Sequence, residues 1–459
     1  MRWWMTWVCW GVGCEADPPK EQPVHASAIP QEVGEPIAID LDAAPNIVLI
    51  TIDTLRADHL ELYGYGRTTS PALSALATEG VTFMDAVAPA PWTLPTLASI
   101  HSSLYPSENF VVGARSRLND SVETLAETLR RAGYRTIGVV SNRFASTDYG
   151  MHQGFEFFDD SQIVDHDGVS SEGLTRVAVE KLGGEHASPT FLWVHYFDPH
   201  FSLVRHPEVG FADGYTGQFS DPMSNADVVA AMGKGGVSEE DIAHAKNVYD
   251  EEIVFTDQWV GALLNSSALQ GKRKQVTIVT SDHGEYFMER GRFFHGEDVY
   301  RELVHVPLII AGDIAPTLRG TKVSETVGLS SIATTIMTRL GIKDHPFHGV
   351  DLLGPVEALR ATPVFAEGGH WWGRGNKNKT VVTPKWKLIH TPNTDAYEWY
   401  DRVADPNERV NRYGDELPPE VQALQATLAA FPTHVGEAAE EVETSPETLR
   451  QLEALGYVE

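Results

Sequence analysis

Cysteine is nearly absent from this chain of 459 residues, which contains only Cys9 and Cys14. Both lie in the first segment, so the rest of the chain can form no disulfide and can offer no thiolate to a metal or a substrate. If the protein reacts through a covalent intermediate, the nucleophile must be another kind of side chain.

Basic residues are also scarce. The 35 lysines and arginines are outnumbered by 64 aspartates and glutamates, which gives a formal net charge of −29. A surface of this charge repels nucleic acid and anionic lipid. We therefore expect no nucleic-acid partner, and an anionic substrate must be attracted locally by a metal ion or a focused basic site.

The apolar run at the N-terminus is short. Residues 1–14 carry one arginine and then WWMTWVCWGVG, which is too short to span a bilayer and resembles an export signal. Cys14 follows Gly13 as the lipidated cysteine of a bacterial lipoprotein would, although Gly11 fits poorly; a cleaved signal or a mispredicted start are the alternatives. The Pro-, Glu- and Ala-rich stretch 15–44 predicts a flexible tether. We expect an exported protein, either periplasmic or tethered to the membrane as a lipoprotein.

Five short runs rich in β-branched and apolar residues follow. They are NIVLITI (46–52), TIGVVS (136–141), TFLWVHY (190–196), VTIVTS (276–281) and VPLII (306–310). Such continuous runs are typical of strands buried on both faces of a parallel sheet. Helical patterns lie between them at 70–80, 121–133 and 239–265. This alternation predicts a doubly wound α/β domain over 45–345 with a mostly parallel sheet, in which the stretch 200–236 is a long loop.

The C-terminal region has a different pattern. From about residue 360, short strands separated by turn residues occur in TPVFAEG, KTVVTPKWKLIHT and AYEWYDR. Two helical segments follow, and the last, SPETLRQLEALGYVE, begins with a Ser–Pro pair suited to an N-cap and a first turn. We expect residues 346–459 to form a smaller α+β subdomain packed on the first domain.

Polar side chains follow four of the predicted strands. In chain order they are Asp53, Asn142, Asp198 with His200, and Asp282 with His283. Ligands of open α/β sheets bind beyond the carboxyl ends of the strands, so we expect these side chains to lie close together. Asp53, Asp282 and His283 make a plausible three-ligand metal set of oxygen and nitrogen donors. Each aspartate taken singly could instead be a turn or cap residue.

Two neighbouring residues have plainer interpretations. Asp198 could be a ligand of a second metal or a turn residue in the DPH sequence. His195 lies inside an apolar strand and is predicted to be a core histidine with its hydrogen bonds satisfied.

Thr93 lies in PAPWTLPTLASIHSSLYP, where Pro95 belongs to the first turn of a helix predicted over about 97–104. Thr93 could simply be the N-cap of that helix. Alternatively, its hydroxyl could be a nucleophile, because a helix N-terminus favours an anion and a nearby metal would lower the pKa of the hydroxyl.

Four motifs in order resemble the sulfatase family of the alkaline phosphatase superfamily. They are NIVLITIDTLRADHLELYGY, TLPTLASIHSSLYP, TSDHGE and FFHGEDVYRELVHVPLII. This resemblance covers most of residues 45–345. KWKLI, WYDRVADPNERVN and LEALGYV are similar to the C-terminal subdomain of that family.

The resemblance implies a metal centre. Its ligands would be Asp53, Thr93, Asp282 and His283, with Thr93 also at the position of the nucleophile. His200 and His295 match positions whose side chains contact the ester oxygens or protonate the leaving group, and Asn142 lies near positions that bind an oxyanion. His295 and Asn142 could instead cap a loop and a turn. One divalent ion is expected, namely manganese, zinc or calcium, with magnesium not excluded.

Departures from the family pattern bear on the chemistry. Sulfatases have a cysteine or serine, matured to formylglycine, followed by proline two residues later and arginine four residues later; this chain has Thr93, Pro95 and Leu97. Threonine cannot mature in this way, so no formylglycine is expected. Thr54 replaces one of two paired aspartates, and Asn109 stands where relatives often have histidine before glycine.

With a threonine as the nucleophile, the site resembles that of the phosphoryl-transfer branch, which includes lipoteichoic acid synthases and nucleotide phosphodiesterases. Phosphonate monoester hydrolases share the metal frame but use a matured cysteine.

We therefore expect a metal-dependent hydrolase or transferase that cleaves phosphoester or phosphonate-type esters through Thr93. A sulfuric ester hydrolase is one alternative, and a non-catalytic glycan- or lipid-binding protein of the same fold is another. The expected partner is an anionic ester substrate, such as a glycan or lipid head group, and the only expected contact with a membrane is through a lipid on the N-terminal segment.

Overall fold

The computed structural model describes residues 34–163, 168–234, 236–369, 377–414 and 416–432. The predicted signal at 1–14, the predicted tether before residue 34 and the last predicted helix lie outside these ranges. Among the described residues, no helix combines the length and the hydropathy needed to cross a bilayer.

The sheet that carries the site is built mainly from the predicted apolar runs. The described residues before 345 contain the strands β1 (Asn46–Ile52), β2 (Gly80–Val87), β3 (Arg135–Val140), β4 (Phe157–Asp159), β5 (Thr190–Tyr196), β6 (Gln275–Ser281), β7 (Tyr286–Phe287), β8 (Phe293–Phe294), β9 (His305–Gly312) and β10 (Thr321–Gly328). Eight of them form one sheet in the order β10-β2-β9-β6-β1-β5-β3-β4, while β7 and β8 pair as a separate hairpin. Only β9 runs antiparallel to its neighbours β2 and β6. The predicted mostly parallel sheet is confirmed.

The described residues contain eleven α-helices, most of which cover the two faces of this sheet. They are α1 (Pro71–Thr78), α2 (Thr93–Ser102), α3 (Pro106–Asn109), α4 (Leu125–Arg131), α5 (Ser171–Leu182), α6 (Asn225–Lys234), α7 (Glu239–Leu264), α8 (Arg301–Val304), α9 (Ile332–Leu340), α10 (Val356–Ala361) and α11 (Pro419–Ala430). Two of them differ from the sequence prediction. The helix expected at 97–104 begins at Thr93, and the predicted loop 200–236 contains α6.

The central strand β1 shows why apolar and polar residues do not alternate in the predicted strands. Ile47 and Leu49 belong to one hydrophobic core with residues of α2, α4 and α9, and Val48 and Ile50 belong to a second core with residues of α1, α5 and α7. Successive side chains of a strand point to opposite faces, so a strand with a core on each face needs apolar residues at every position.

A second sheet forms the C-terminal subdomain. Its antiparallel strands are β11 (Val364–Glu367), β12 (Lys379–Val382), β13 (Trp386–Thr391) and β14 (Ala396–Asp401), with α11 packed against β12 and β13. Arg402 joins this subdomain to the first sheet, because its guanidinium lies 2.8 and 2.5 Å from the two carboxylate oxygens of Asp85 in β2. The predicted fold class, a doubly wound α/β domain with a smaller α+β subdomain, is confirmed.

Candidate functional site

The centre of the first sheet brings three of the predicted metal ligands together. β1 and β6 are parallel neighbours, and Ile52 pairs with Ser281 at their carboxyl ends. The next residues along each strand are therefore side by side. Asp53, Asp282 and His283 are fully buried, and each offers a ligand atom within 4.8 Å of the other two.

Backbone groups fix the orientation of the Asp282 carboxylate. Its Oδ1 accepts hydrogen bonds from the N–H of His283 at 2.8 Å and from the N–H of Thr54 at 3.2 Å. Its Oδ2 is buried without a hydrogen-bond partner and lies 3.5 Å from Nε2 of His283. Thr54 adopts a left-handed backbone conformation with φ of 51°, which is unusual for a β-branched residue and places its N–H on this carboxylate.

The tautomer of His283 follows from its surroundings. Nδ1 lies 2.9 Å from the carbonyl oxygen of Gly284, which can only accept, so Nδ1 carries the hydrogen and Nε2 carries the lone pair. Nε2 lies 3.5 Å from Oδ1 of Asp53, an atom that is also buried without a hydrogen-bond partner. Two carboxylate oxygens and one imidazole lone pair thus converge on one small volume.

This cluster fits a divalent cation. Burial raises the pKa of Asp53, and burial and the adjacent Asp53 carboxylate together raise the pKa of Asp282. Burial lowers the pKa of His283, so its imidazole is neutral, as a metal ligand must be. In the described part of the chain, neither carboxylate forms an ion pair with lysine or arginine. Donor atoms at about 2.0–2.4 Å from a shared ion lie about 3–4 Å apart. Nε2 of His283 lies 3.5 Å from Oδ1 of Asp53 and 3.5 Å from Oδ2 of Asp282, within that range.

Thr93 contributes a fourth donor atom, its hydroxyl oxygen, to the same volume. It is the first residue of α2, and Trp92, not Thr93, is the N-cap. Its Oγ1 lies 3.3 Å from Nε2 of His283, and its hydroxyl is close enough to the Asp53 carboxyl to oppose, weakly, the rise that burial causes in the pKa of that group. The interpretation of Thr93 as a simple helix cap is therefore wrong, because Trp92 is the N-cap and the Thr93 hydroxyl contacts His283, a candidate metal ligand.

Asn142 lies against Asp53. Its Oδ1 accepts from the N–H of Phe144 at 2.7 Å, so its Nδ2 is the atom that donates to Oδ2 of Asp53. The structure thus places Asn142 in the site, in contact with the candidate metal ligand Asp53. Its predicted contact with the substrate stays a prediction.

His195 is buried as predicted but is not a satisfied core residue. Its Nδ1 lies 2.8 Å from Oγ1 of Thr51, which also accepts from the indole N–H of Trp193. Its Nε2 has no hydrogen bond within standard limits and lies 3.4 Å from Oδ2 of Asp53. Burial lowers the pKa of His195 to about 4, so the ring is neutral. The sequence prediction of a satisfied core histidine is wrong, because β5 lies beside β1 and Nε2 of this ring lies next to the Asp53 carboxylate without a hydrogen bond.

His200 and His295 also reach the site. The ring centroid of His295 lies 4.3 Å from that of His283 and 5.1 Å from that of His200, so the ring of His295 lies next to both of the other rings. Burial lowers the pKa of His295 to about 3. Glu285 is not among the site residues predicted from the sequence, and its Oε1 lies 3.1 Å from Nδ1 of His295. Its position in the TSDHGE motif was the signal that could have identified it.

Asp198 has the plainer of its two predicted roles. Its two carboxylate oxygens accept from the N–H groups of Ser170 and Ser171 at 2.7 and 2.8 Å, and one also accepts from the hydroxyl of Ser170. These residues begin α5, so the carboxylate binds the start of this helix. The possibility that Asp198 is a ligand of a second metal is not supported.

Comparison with known proteins places this geometry in a family context. The family model described as Sulfatase matches residues 45–342. The choline-sulfatase of Rhizobium meliloti is 26% identical over 456 residues, which cover 84% of this chain and 85% of that protein. A solved structure of a protein in complex with its substrate D-glucosamine-2-N,6-O-disulfate has a TM-score of 0.65 at 19% identity and covers 84% of this chain and 97% of its own. The phosphonate monoester hydrolase of Agrobacterium radiobacter has a TM-score of 0.61 at 19% identity, with coverages of 84% and 94%.

Proposed function

The chain belongs to the sulfatase family of the alkaline phosphatase superfamily and is an ester hydrolase of that superfamily, and we propose that it cleaves phosphorus esters with Thr93 as the nucleophile. The observation that carries the proposal is the position of the Thr93 hydroxyl, 3.3 Å from Nε2 of His283 and beside the Asp53 carboxyl. A hydroxyl in contact with two candidate metal ligands at a helix N-terminus is placed to act as an alkoxide.

The identity of residue 93 supports phosphorus as the reacting centre. A threonine attacks phosphorus to give a phosphoester that water or an acceptor alcohol can resolve, whereas a threonine sulfate would hydrolyse slowly. Cys9 and Cys14 are the only cysteines of the chain and precede the fold, so no cysteine of the catalytic domain is available for conversion to formylglycine.

Each residue of the site has a distinct part in this reaction. Asp53, Asp282 and His283 would hold a divalent ion, and that ion would supply the positive charge that lets the Thr93 hydroxyl ionise and that neutralises the substrate oxygens. Once the Thr93 hydroxyl has released its proton to solvent, its oxygen attacks phosphorus and the bond to the leaving oxygen breaks, while the amide N–H groups at the start of α2 favour the anionic oxygens. His295, or His200 beside it, protonates the leaving oxygen.

The expected substrate is an anionic ester bearing one or two negative charges. The formal net charge of −29 disfavours anions over the molecule as a whole, so the ion and the N-terminus of α2 must supply the local attraction. The fold similarity to a phosphonate monoester hydrolase is consistent with a phosphorus centre that carries one ester bond to be cleaved. We also propose that the protein is exported, on the basis of residues 1–14.

Sulfate ester hydrolysis is the second candidate activity, and the similarity to sulfatases favours it. Choline-sulfatase and arylsulfatase are among the similar proteins, at 26% and 23% identity. Under this alternative, Thr93 would occupy the position of the formylglycine without its aldehyde hydrate.

A substrate panel separates the two candidates. The protein, loaded in turn with manganese, zinc and calcium, would be assayed on 4-nitrophenyl phosphate, bis(4-nitrophenyl) phosphate, 4-nitrophenyl phenylphosphonate and 4-nitrophenyl sulfate. We expect kcat/KM on a phosphorus ester to exceed that on the sulfate by about tenfold or more, which corresponds to about 1.4 kcal/mol of transition-state binding. Faster turnover of the sulfate would overturn the proposal in favour of the second candidate.

A further inference from the structure

Glu285 is a fully buried carboxylate next to the site that the reaction described above does not use. It follows His283 by two residues, with Gly284 between them. The N–H of Gly284 donates to the carbonyl of Leu303 at 2.7 Å, and a Cβ on Gly284 would lie 2.1 Å from the carbonyl oxygen of Glu302. The backbone of α8 therefore holds this turn closely, which fixes Glu285 relative to the metal ligand His283.

The carboxylate of Glu285 contacts the ring of His295. Nδ1 of His295 lies 3.1 Å from one carboxylate oxygen and 3.2 Å from the other. Because this contact engages Nδ1, the opposite ring nitrogen, Nε2, is the one that can reach a leaving oxygen. The same ring lies 4.3 Å from that of His283, measured between centroids, so this orientation is set directly beside the metal ligands.

Glu285 also holds the segment that carries His200. It accepts a hydrogen bond from the N–H of Phe201, the residue after His200. The ring of Phe201 packs edge-on against Phe294, the residue before His295, with the centroids 5.2 Å apart. One buried carboxylate thus joins the two segments that supply the candidate leaving-group histidines.

From this geometry we propose that Glu285 is a positioning residue that orients His295 toward the leaving oxygen and anchors the segment of His200. The inference rests on the proposed function, in which one of these histidines protonates the leaving group. When His295 and Glu285 together carry no net charge, one proton is shared between Nδ1 of His295 and the Glu285 carboxylate, and Nε2 of His295 carries its own hydrogen. When that hydrogen passes to the leaving oxygen, the shared proton settles on Nδ1 and Glu285 becomes a full carboxylate, so the proton balance closes.

Dependence on the leaving group tests this role. Glu285→Gln would be assayed on two esters of the best class from the substrate panel, one with a 4-nitrophenolate leaving group and one with an unsubstituted phenolate. Because phenolate needs a proton more than 4-nitrophenolate does, we expect kcat to fall by about 10- to 100-fold on the phenyl ester and by about threefold or less on the nitrophenyl ester, with KM unchanged. Equal losses on the two esters, or no loss on either, would overturn the proposal.

Matched variants guard against a purely structural effect. Glu289→Gln removes another largely buried carboxylate from the same segment, one that pairs with Arg56 and Lys246 and not with His295, and it should affect both esters equally. In the His295→Ala background, Glu285→Gln should cause no further loss of kcat on the phenyl ester. A further loss of the same size would contradict the positioning role.

Two additional measurements keep the test decisive. If Glu285→Gln does not fold, Glu285→Asp withdraws the carboxylate from Nδ1 and should show the same selective loss, whereas the absence of any selective loss would overturn the proposal. Failure of the proposed function itself has a different signature, which is turnover by Thr93→Ala at the wild-type rate.

Discussion

Oγ1 of Thr93 lies 3.3 Å from Nε2 of His283, the ring nitrogen whose lone pair faces the two unpartnered carboxylate oxygens of the site. The two residues are 190 positions apart and come from opposite ends of different elements, Thr93 from the start of α2 and His283 from the turn after β6. Their contact makes the hydroxyl part of the candidate metal centre.

Divalent metal should stabilise the protein through Asp282. A ligand that binds only the folded state at 100 times its Kd adds about 2.7 kcal/mol to the free energy of unfolding. Thermal unfolding with and without EDTA should show this gain for the wild type and none for Asp282→Asn. In EDTA, Asp282→Asn should be at least as stable as the wild type, because it removes one of two adjacent buried carboxylates. Asp120→Asn, a change at an exposed aspartate, is the control and should respond to metal as the wild type does.

His195 should raise metal affinity without being one of the three converging ligands. Its Nε2 lies 3.4 Å from Oδ2 of Asp53, where a neutral ring can hold the carboxylate with its other oxygen toward the ion. Groups that orient a metal ligand typically contribute 10- to 100-fold in affinity, so His195→Ala should weaken binding by about that factor in calorimetric titration. Thr51→Val, which removes the hydroxyl that contacts Nδ1, should weaken it by a smaller factor. Unchanged affinity in both variants would show that His195 only fills space.

The ion pair between Asp85 and Arg402 should stabilise attachment of the C-terminal subdomain in a pH-dependent way. Burial alone would raise the pKa of Asp85, but the Arg402 guanidinium outweighs it and lowers the pKa to about 2. Because the folded pKa is below the unfolded value, the stabilisation is complete above about pH 4 and is lost as the pH falls toward 2. Asp85→Asn should cost about 2 kcal/mol in urea unfolding at pH 6 and progressively less toward pH 3. A cost that does not change with pH would contradict this assignment.

Substitutions of Thr93 should separate the contribution of its hydroxyl to kcat from that of its methyl group. Thr93→Ala removes the nucleophile and should lower kcat by about 10³-fold or more, while metal binding through the other three ligands remains measurable. Thr93→Ser keeps the hydroxyl at the same helix position and should retain activity within about tenfold. If the serine variant were as inactive as the alanine variant, the hydroxyl would not be the reacting group.

The sequence was sufficient to predict the sheet edge at which the three candidate metal ligands meet. The runs 46–52 and 276–281 are buried strands, and residues that follow parallel strands collect at one edge, so Asp53, Asp282 and His283 could be grouped from the sequence alone. The direction of β9, which runs antiparallel to its neighbours β2 and β6, could not be predicted. An apolar run has the same pattern of side chains whichever way the strand runs in the sheet.

Roles that depend on side-chain direction were not predictable in the same way. Asp198 follows a strand as Asp53 does, yet its carboxylate binds the start of α5, which depends on where that helix packs. His195 reaches Asp53 only because β5 lies beside β1. The order of strands within the sheet cannot be predicted from their spacing along the chain. Glu285 could be placed near His283 from the motif, but its contact with His295 depends on the path of the intervening turn.

A covalent bond between Thr93 and phosphorus during turnover is the step on which the proposed function depends. The most direct test is to mix the metal-loaded protein with the best phosphorus ester, quench with acid within one turnover, and map the adduct by peptide mass spectrometry. We expect a phosphoryl or phosphonyl group on Thr93 that is absent from Thr93→Ala and disappears as the substrate is exhausted. Turnover by the wild type with no adduct on Thr93, together with undiminished turnover by Thr93→Ala, would contradict the proposed function.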